Sequence, residues 1–330
     1  VIPGITILPG DCLASMRTLP DCSVHTCVTS PPYFGLRSYL PDDHPDKALE
    51  IGLEETPAEF VARLVDLFRE VRRVLRDDGT CWINIGDSYA GSWGAEGRRE
   101  TEAEAGSWRG SQIANHPKRA NRRPPGLKVK DRMMIPARVA LALQADGWWL
   151  RDEIVWHKPN PMPSSVTDRT TPAHEMIYML TKSGRYSFDH EAIKEPAADE
   201  RGPGNVRPVA APPGERTGSN ANVRGSLHRI GRREVRNRRS VWTVSTKPYA
   251  GAHYATFPPD LIEPCILAGA PVGGTVLDPF GGSGTTAGVA LKHGRRAILC
   301  ELNPDSIDLM HDRILSVAGH TGDMFLRAAE

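Results

Sequence analysis

The chain has 330 residues, and its 41 Lys+Arg against 40 Asp+Glu leave a formal net charge of +1. That balance excludes a uniformly basic packaging protein and an acidic disordered tail. With 39% hydrophobic and 25% charged residues there is enough apolar material for a real core. The length suits one large α/β domain with insertions, or two domains of about 150 residues. No apolar run reaches the ~18 residues that span a bilayer. The first residues show no basic flank followed by an apolar stretch, so neither a membrane anchor nor a signal peptide is expected. The 31 Gly and 28 Pro predict many loops. Cys12, Cys22, Cys27, Cys81, Cys265 and Cys300 are scattered, with no C-x-x-C pair. They read as small hydrophobes; no metal site is expected, and a reducing cytoplasm is the expected setting.

Ile5–Leu8 and Val24–Val28 read as strands, the second ending at Ser30-Pro31-Pro32. A helix is expected from Pro57 to Leu75. Thr56 and Glu59 form a capping-box pattern with Pro at the first helical position. Phe60, Leu64, Leu67, Phe68, Val71 and Leu75 follow helical spacing, and Asp77-Asp78-Gly79 is the expected stop. Cys81–Ile85 is a short apolar strand of the kind buried on both faces. Residues 88–132 break the pattern; they are rich in Gly, Ser and Arg and read as a basic surface insertion. A helix is expected over Ile135–Ala145 with Gly147 ending it, then strands at Ile154–Trp156 and Glu175–Leu180. Trp82, Trp148, Trp149 and Trp156 are expected in the core or a pocket wall. From Arg201 to Arg239 there are ten arginines and two acids. A near-neutral chain that concentrates positive charge in this way carries the footprint of a polyanion partner; the plainer reading is a solvated loop. The last region is compact α/β: a helix from near Pro259 containing Pro264, a strand at Val276-Leu277, a helix over Thr285–His293, a strand at Ala297–Cys300 and a helix over Asp305–Val317.

Two motifs carry chemistry. Asp278-Pro279-Phe280-Gly281-Gly282-Ser283-Gly284-Thr285-Thr286 follows a strand and opens a helix. Glycines there admit a ligand close to the backbone, and the helix start offers free N–H groups. There is no Lys, which argues against a P-loop. The glycine spacing matches a dinucleotide fingerprint only imperfectly, which disfavours a nicotinamide oxidoreductase. Asp278 stands where a pyrophosphate would lie and suits a cationic or neutral ligand instead. Glu301 ends the next strand, where an acid commonly binds ribose hydroxyls, with Asn303 close behind. The combination favours a nucleoside without phosphates, and S-adenosylmethionine is one. The second motif is Thr29-Ser30-Pro31-Pro32-Tyr33. Two prolines stiffen the backbone and leave carbonyls without adjacent N–H donors. Ser30 adds a hydroxyl and Tyr33 a flat face, so the site can accept both hydrogens of an exocyclic base amine while stacking on its ring.

Together these motifs make the sequence resemble the amino-methyltransferases of DNA, in the permuted group where the catalytic motif precedes the cofactor motif. Gly10-Asp11-Cys12, Gly79–Asn84, Ile154–Asn160 and His253-x-Ala255-x-Phe257-Pro258 resemble further segments of that family. The resemblance implies an α/β fold, a Rossmann-like S-adenosylmethionine-dependent methyltransferase sheet with an inserted DNA-recognition region. It implies a catalytic half at 1–87 and 133–190, a target-recognition region at 191–240 and a cofactor-binding half at 241–330. Asp11, Asp278, Phe280, Gly281, Gly282, Ser283, Gly284, Thr285, Glu301 and Asn303 are the implied cofactor residues. Ser30, Pro31, Pro32 and Tyr33 are the implied catalytic residues. Trp156, His157 and Lys158 would lie on the target-strand side of the base pocket, and Arg232, Arg233 and Arg236 are candidates for DNA contact.

Family members that methylate adenine N6 mostly begin the catalytic motif with Asp, and those that methylate cytosine N4 mostly with Ser. Ser30 therefore implies cytosine N4 in double-stranded DNA, with adenine N6 as the alternative and an inactive nucleic-acid-binding regulator as a more distant one. A cognate restriction enzyme is an implied partner, the chain being a monomer or a homodimer. No catalytic Cys is expected, because amine methylation needs no covalent base intermediate.

Overall fold

A computed structural model describes residues 2–90, 126–197, 234–246 and 257–319. The chain divides into two compact units, Asp189–Arg239 and the remainder. In the large unit, β1 (Ile5–Pro9), the short helix α1 (Cys12–Arg17) and β2 (Val24–Thr29) come first. They are followed by α2 (Pro57–Val74), β3 (Leu75–Ile85), α3 (Ile135–Ala145), β4 (Trp149–His157) and β5 (His174–Thr181). The small unit holds a two-stranded ribbon of β6 (Glu195–Pro196) and β7 (Val235–Arg236), antiparallel to each other. The large unit resumes with β8 (Val241–Thr243), α4 (Pro259–Gly269), β9 (Thr275–Asp278), α5 (Thr285–Lys292), β10 (Arg296–Glu301) and α6 (Pro304–Ala318).

Eight of the described strands form one sheet in the order β1-β10-β9-β2-β3-β5-β4-β8, and of these eight β5 alone runs against the rest. From the adjacent strands β9 and β2 the chain departs in opposite directions, through α5 to β10 and through α2 to β3. Right-handed crossovers in opposite directions put the two sets of helices on opposite faces. They also open a crevice at the carboxyl ends of β9 and β2, where α/β sheets bind ligands.

Each element follows from its sequence. Thr56 Oγ1 accepts the Glu59 N–H at 3.1 Å, and the Glu59 carboxylate accepts the Thr56 N–H at 3.0 Å, so the expected capping box starts α2. Phe60, Leu64, Leu67, Phe68 and Val71 are fully buried on its inner face, against Cys81, Ile83 and Ile85 of β3. Gly269 lets α4 lie on the sheet: a Cβ there would sit 2.5 Å from the hydroxyls of Thr26 and Thr80. Pro264 is accommodated inside α4.

Three expectations are corrected. The helix beginning at Pro57 is not stopped by Asp77-Asp78-Gly79: it ends at Val74, and Leu75 already starts β3. Leu75 is completely buried, and burying it extended wins over another helical turn. The register of β3 on β2 then shifts between Leu75 and Thr80, so the two aspartates occupy an irregular strand start. Trp149 is 52% exposed, unlike Trp82, Trp148 and Trp156. It opens β4 beside the buried Trp148, and neighbouring strand residues face opposite ways. All seven predicted strands are also longer than expected, and α1 and β8 are too short to show a period in the sequence. Residues 91–125 of the basic insertion, 198–233 with Arg232 and Arg233, and 247–256 with His253 and Ala255 lie outside the described residues.

Candidate active site

The carboxyl ends of β1, β10, β9, β2, β3 and β4 and the amino end of β5 share one edge of the sheet. A cavity of about 950 Å³, its open mouth included, lies there over the crevice between β9 and β2. Gly10 and Asp11 after β1, Ser30 and Pro32 after β2, and the stretch from Asp278 at the end of β9 to Ser283 line it, together with Glu301 at the end of β10 and Asn303 beyond it. A loop that the sequence did not mark supplies Tyr39, Leu40, Glu50 and Ile51. Glu50 is buried and ties that loop together. Its carboxylate accepts the N–H groups of Tyr39 at 2.5 Å and Leu40 at 2.6 Å and pairs with Lys47 at 2.8 Å. Asn303 Nδ2 holds the same loop by donating to the Tyr39 carbonyl at 3.2 Å.

Asp278 joins the two motifs. Its carboxylate is 1% exposed and accepts the hydroxyls of Thr29 and Thr286, each at 2.6 Å, and the Phe280 N–H at 3.1 Å. Burial pushes it up to about 7 against the pull of those hydrogen bonds. The sequence marks Asp278 as a partner for a cationic ligand; in the fold its oxygens also brace the segment from Phe280 to Thr286 against the end of β2 at Thr29. Glu301 braces the loop from the other side. It accepts the N–H of Gly282 at 2.7 Å and of Asn303 at 2.8 Å, and burial raises its carboxyl. Gly282 and Gly284 both have positive φ, 53° and 81°, which favours glycine in this turn. Ser283 and Thr285 share a hydroxyl contact of 3.2 Å beneath it.

Beyond the cavity rim, Pro31 is buried and Tyr33 half-buried. The Tyr33 hydroxyl donates to Glu175 Oε2 at 2.7 Å, and its ring edge rests on Gly86, where a Cβ would collide with it. Lys158 pairs with Glu175 and lies over the Trp156 ring, 4.2 Å from its centroid.

Comparison with known proteins decides the family. The model of the DNA methylase family matches residues 24–312. This chain belongs to the DNA methylase family. Type II methyltransferase M.Cfr9I of Citrobacter freundii is 44% identical over 311 residues, 94% of this chain and 88% of that protein. Type II methyltransferase M.SmaI of Serratia marcescens is 41% identical over 313 residues, 94% and 90% of the two chains. Among solved structures, the cytosine-N4-specific PvuII DNA methyltransferase aligns with a TM-score of 0.58 and 17% identity, over 98% of this chain and 95% of that one. A putative DNA modification methylase of Thermus thermophilus, complexed with S-adenosyl-L-methionine, aligns with a TM-score of 0.55 and 23% identity, over 95% and 94%. The two structures share the fold, a Rossmann-like methyltransferase sheet.

DNA methylases of this family depend on S-adenosylmethionine, and the cavity fits that molecule. Among the described residues its lining includes the carboxylates of Asp11, Glu50, Asp278 and Glu301 and neither Lys nor Arg, a donor set that suits a cationic nucleoside and repels phosphates. Phe280 lines the cavity and offers a ring face. Asp11 does so as the N-cap of α1, one oxygen accepting the Ala14 N–H at 2.9 Å. Cys12 also lines it, but burial and the neighbouring Asp11 push its thiol up to about 12, so it stands there as a neutral thiol.

The remaining sequence candidates fall in three places. Trp156 is buried with its indole N–H donating to the Val244 carbonyl at 2.8 Å, which makes it a platform beneath Lys158. His157 is exposed, its Nδ1 3.2 Å from Thr243 Oγ1. Arg236 lies in the small unit and pairs with Glu195 at 2.8 Å. Glu175, Gly86 and the 35–52 loop are the parts that sequence reasoning missed. Glu175 opens a strand like any other polar residue at a strand end, and only its partners give it meaning.

Proposed function

We propose that this DNA methylase transfers a methyl group to the exocyclic N4 amine of cytosine in duplex DNA, as the modification enzyme of a Type II system. The observation that carries the reading is Ser30 in the cavity wall, at the head of the Ser-Pro-Pro-Tyr motif and beside the cofactor loop. The Type II context is supported by relatives above 40% identity that bear that name.

When bound, S-adenosylmethionine supplies an activated methyl group on a sulfonium centre. Asp11, Phe280, the Gly281–Gly284 backbone and Glu301 would hold it. The amine is out of reach inside a base stack, so the target cytosine leaves the duplex. Ser30 Oγ and the Pro31 carbonyl then accept the two amine hydrogens. The nitrogen becomes more pyramidal, and its lone pair, freed from the ring, would attack the methyl carbon in line as the carbon–sulfur bond breaks; a neutral thioether is the leaving group, and the alkylated amine loses one proton to water. Positioning supplies most of the acceleration. Tyr33 presents its ring to the base, and the arginines of 201–239 hold phosphates and guanine edges.

The test is methyl transfer from labelled S-adenosylmethionine to mixed-sequence duplex DNA, followed by mass analysis of the nucleosides. N4-methylcytosine is expected, and its loss in Ser30→Ala assigns the motif. N6-methyladenine would overturn the choice of base, and no methylated nucleoside from cofactor-loaded protein would favour a regulator.

A further inference from the structure

The 35–52 loop that forms part of the cavity wall is bonded first of all to itself. Its ends are clasped by the Gly35 N–H, which donates to the Gly52 carbonyl at 2.8 Å. Glu54 steadies that clasp by accepting the Gly52 N–H at 2.8 Å. Inside the loop, Lys47 donates to the Leu40 carbonyl at 2.5 Å and adds to the contacts of Glu50. Bonds of this kind give a loop its shape, but they do not set where it stands over the cavity. Side chains from outside do that. Asn303 reaches the Tyr39 carbonyl from beyond β10. Arg63 reaches the other limb from α2. Its guanidinium donates to three successive carbonyls, Nη2 to Ala48 at 3.3 Å and to Leu49 at 2.6 Å, and Nη1 to Glu50 at 2.6 Å. Nη1 also pairs with Glu54 at 3.2 Å.

Leu49, Glu50 and Ile51 line the cavity, and Arg63 does not. We propose that Arg63 is a positioning residue for S-adenosylmethionine: by gripping the 48–50 backbone from behind, it holds this part of the wall against the bound cofactor. The rigid fork of a guanidinium suits the task, because it holds carbonyls of successive residues at once, which a single ammonium centre on a flexible stem does not. The clasp keeps the effect away from the catalytic segment. A Cβ on Gly52 would lie 3.0 Å from the Tyr33 carbonyl, so the end of the loop rests on the Ser-Pro-Pro-Tyr backbone. That end is tied to Gly35 and Glu54 by bonds that do not involve Arg63. Loss of Arg63 therefore frees the wall at Leu49 and Glu50 while the backbone at Tyr33 keeps its support. The signature is weaker cofactor binding with an unchanged chemical step.

The inference rests on the cavity being the cofactor site, and not on which base is methylated. The experiment uses the full chain with Arg63→Ala and Arg63→Lys. S-adenosylmethionine binding is measured by calorimetry without DNA, and methyl transfer to duplex DNA by steady-state kinetics. In Arg63→Ala the Kd and the KM for S-adenosylmethionine should both rise about tenfold, the scale of one lost charge-assisted hydrogen bond at a side chain partly open to water. At saturating cofactor kcat should stay within about twofold, as when binding common to the ground and transition states is removed. Arg63→Lys keeps the charge and the stem without the fork and should recover part of the affinity. Unchanged cofactor binding would overturn the proposal. So would a kcat that falls as far as the affinity, since general loosening of the fold gives that result. If Arg63→Ala does not fold, Arg63→Lys carries the test, with a smaller loss expected and the same two results overturning it. Glu301→Ala serves as the control on the cavity. Undiminished binding there would defeat the cofactor reading of the cavity and this inference with it. Binding lost in Glu301→Ala but unchanged in Arg63→Ala would defeat this inference alone.

Discussion

Asp278 and Gly86 show how much a single side chain, or its lack, decides at this sheet edge. Asp278 titrates at about 7 in the fold against an ordinary 3.8, so the folded chain prefers it protonated. A raised folded-state value means that the stability the group confers is complete below 3.8 and is lost as pH rises through about 7. Thermal unfolding midpoints should therefore decline over that window. Asp278→Asn, which keeps a carbonyl acceptor and cannot ionise, should flatten the decline; an unchanged slope in the variant would trace it to another group. At Gly86 a Cβ would run into the Tyr33 ring. Gly86→Ala should cost about 1–3 kcal/mol as overpacking or relieve the clash by moving the phenol. Either way methyl transfer falls, while S-adenosylmethionine binding, measured by calorimetry, is retained because Tyr33 is not among the residues lining that cavity.

Among the elements, α2 is the most strongly specified by its own sequence. Its capping box and its apolar period act within a few residues of each other, so both are legible without tertiary knowledge. Thr56→Ala should cost about 1 kcal/mol in denaturant unfolding, the usual worth of such a cap. Phe68 is fully buried in the core cluster. Phe68→Ala should cost about 3–5 kcal/mol in the same measurement. The end of α2 departs from its local sequence signal for a physical reason. Asp77-Asp78-Gly79 has the composition of a helix stop, but Leu75 is needed in the sheet two residues earlier. Gly79 belongs to the resulting irregular strand: a Cβ there would lie 2.8 Å from the His25 carbonyl. Local chemistry named the right region and the wrong boundary, because burial decided the boundary.

For the whole molecule, the concentration of arginine in one segment of a neutral chain makes a prediction about salt. The logarithm of the DNA association constant should fall linearly with log salt concentration. Replacing Arg232 and Arg233 by Gln should reduce the slope by about 0.9 for each phosphate that the pair neutralises. An unchanged slope would place DNA binding elsewhere. The division between sequence and fold is clear at this scale. The strand-turn-helix around Asp278–Thr286, the stiff Ser-Pro-Pro-Tyr segment and most of the helices are legible in the sequence alone. These depend on backbone freedom, caps and periods that operate over short stretches of chain. It takes the assembled fold to show that Thr29 and Asp278, 249 positions apart, share a hydrogen bond, and that Glu175 holds Tyr33 from 142 positions away. The fold likewise places Glu50 where it ties the 35–52 loop over the cavity. Such contacts follow from which strands become neighbours, and strand order depends on how the helices cover both faces of the sheet. No local run of residues carries that information.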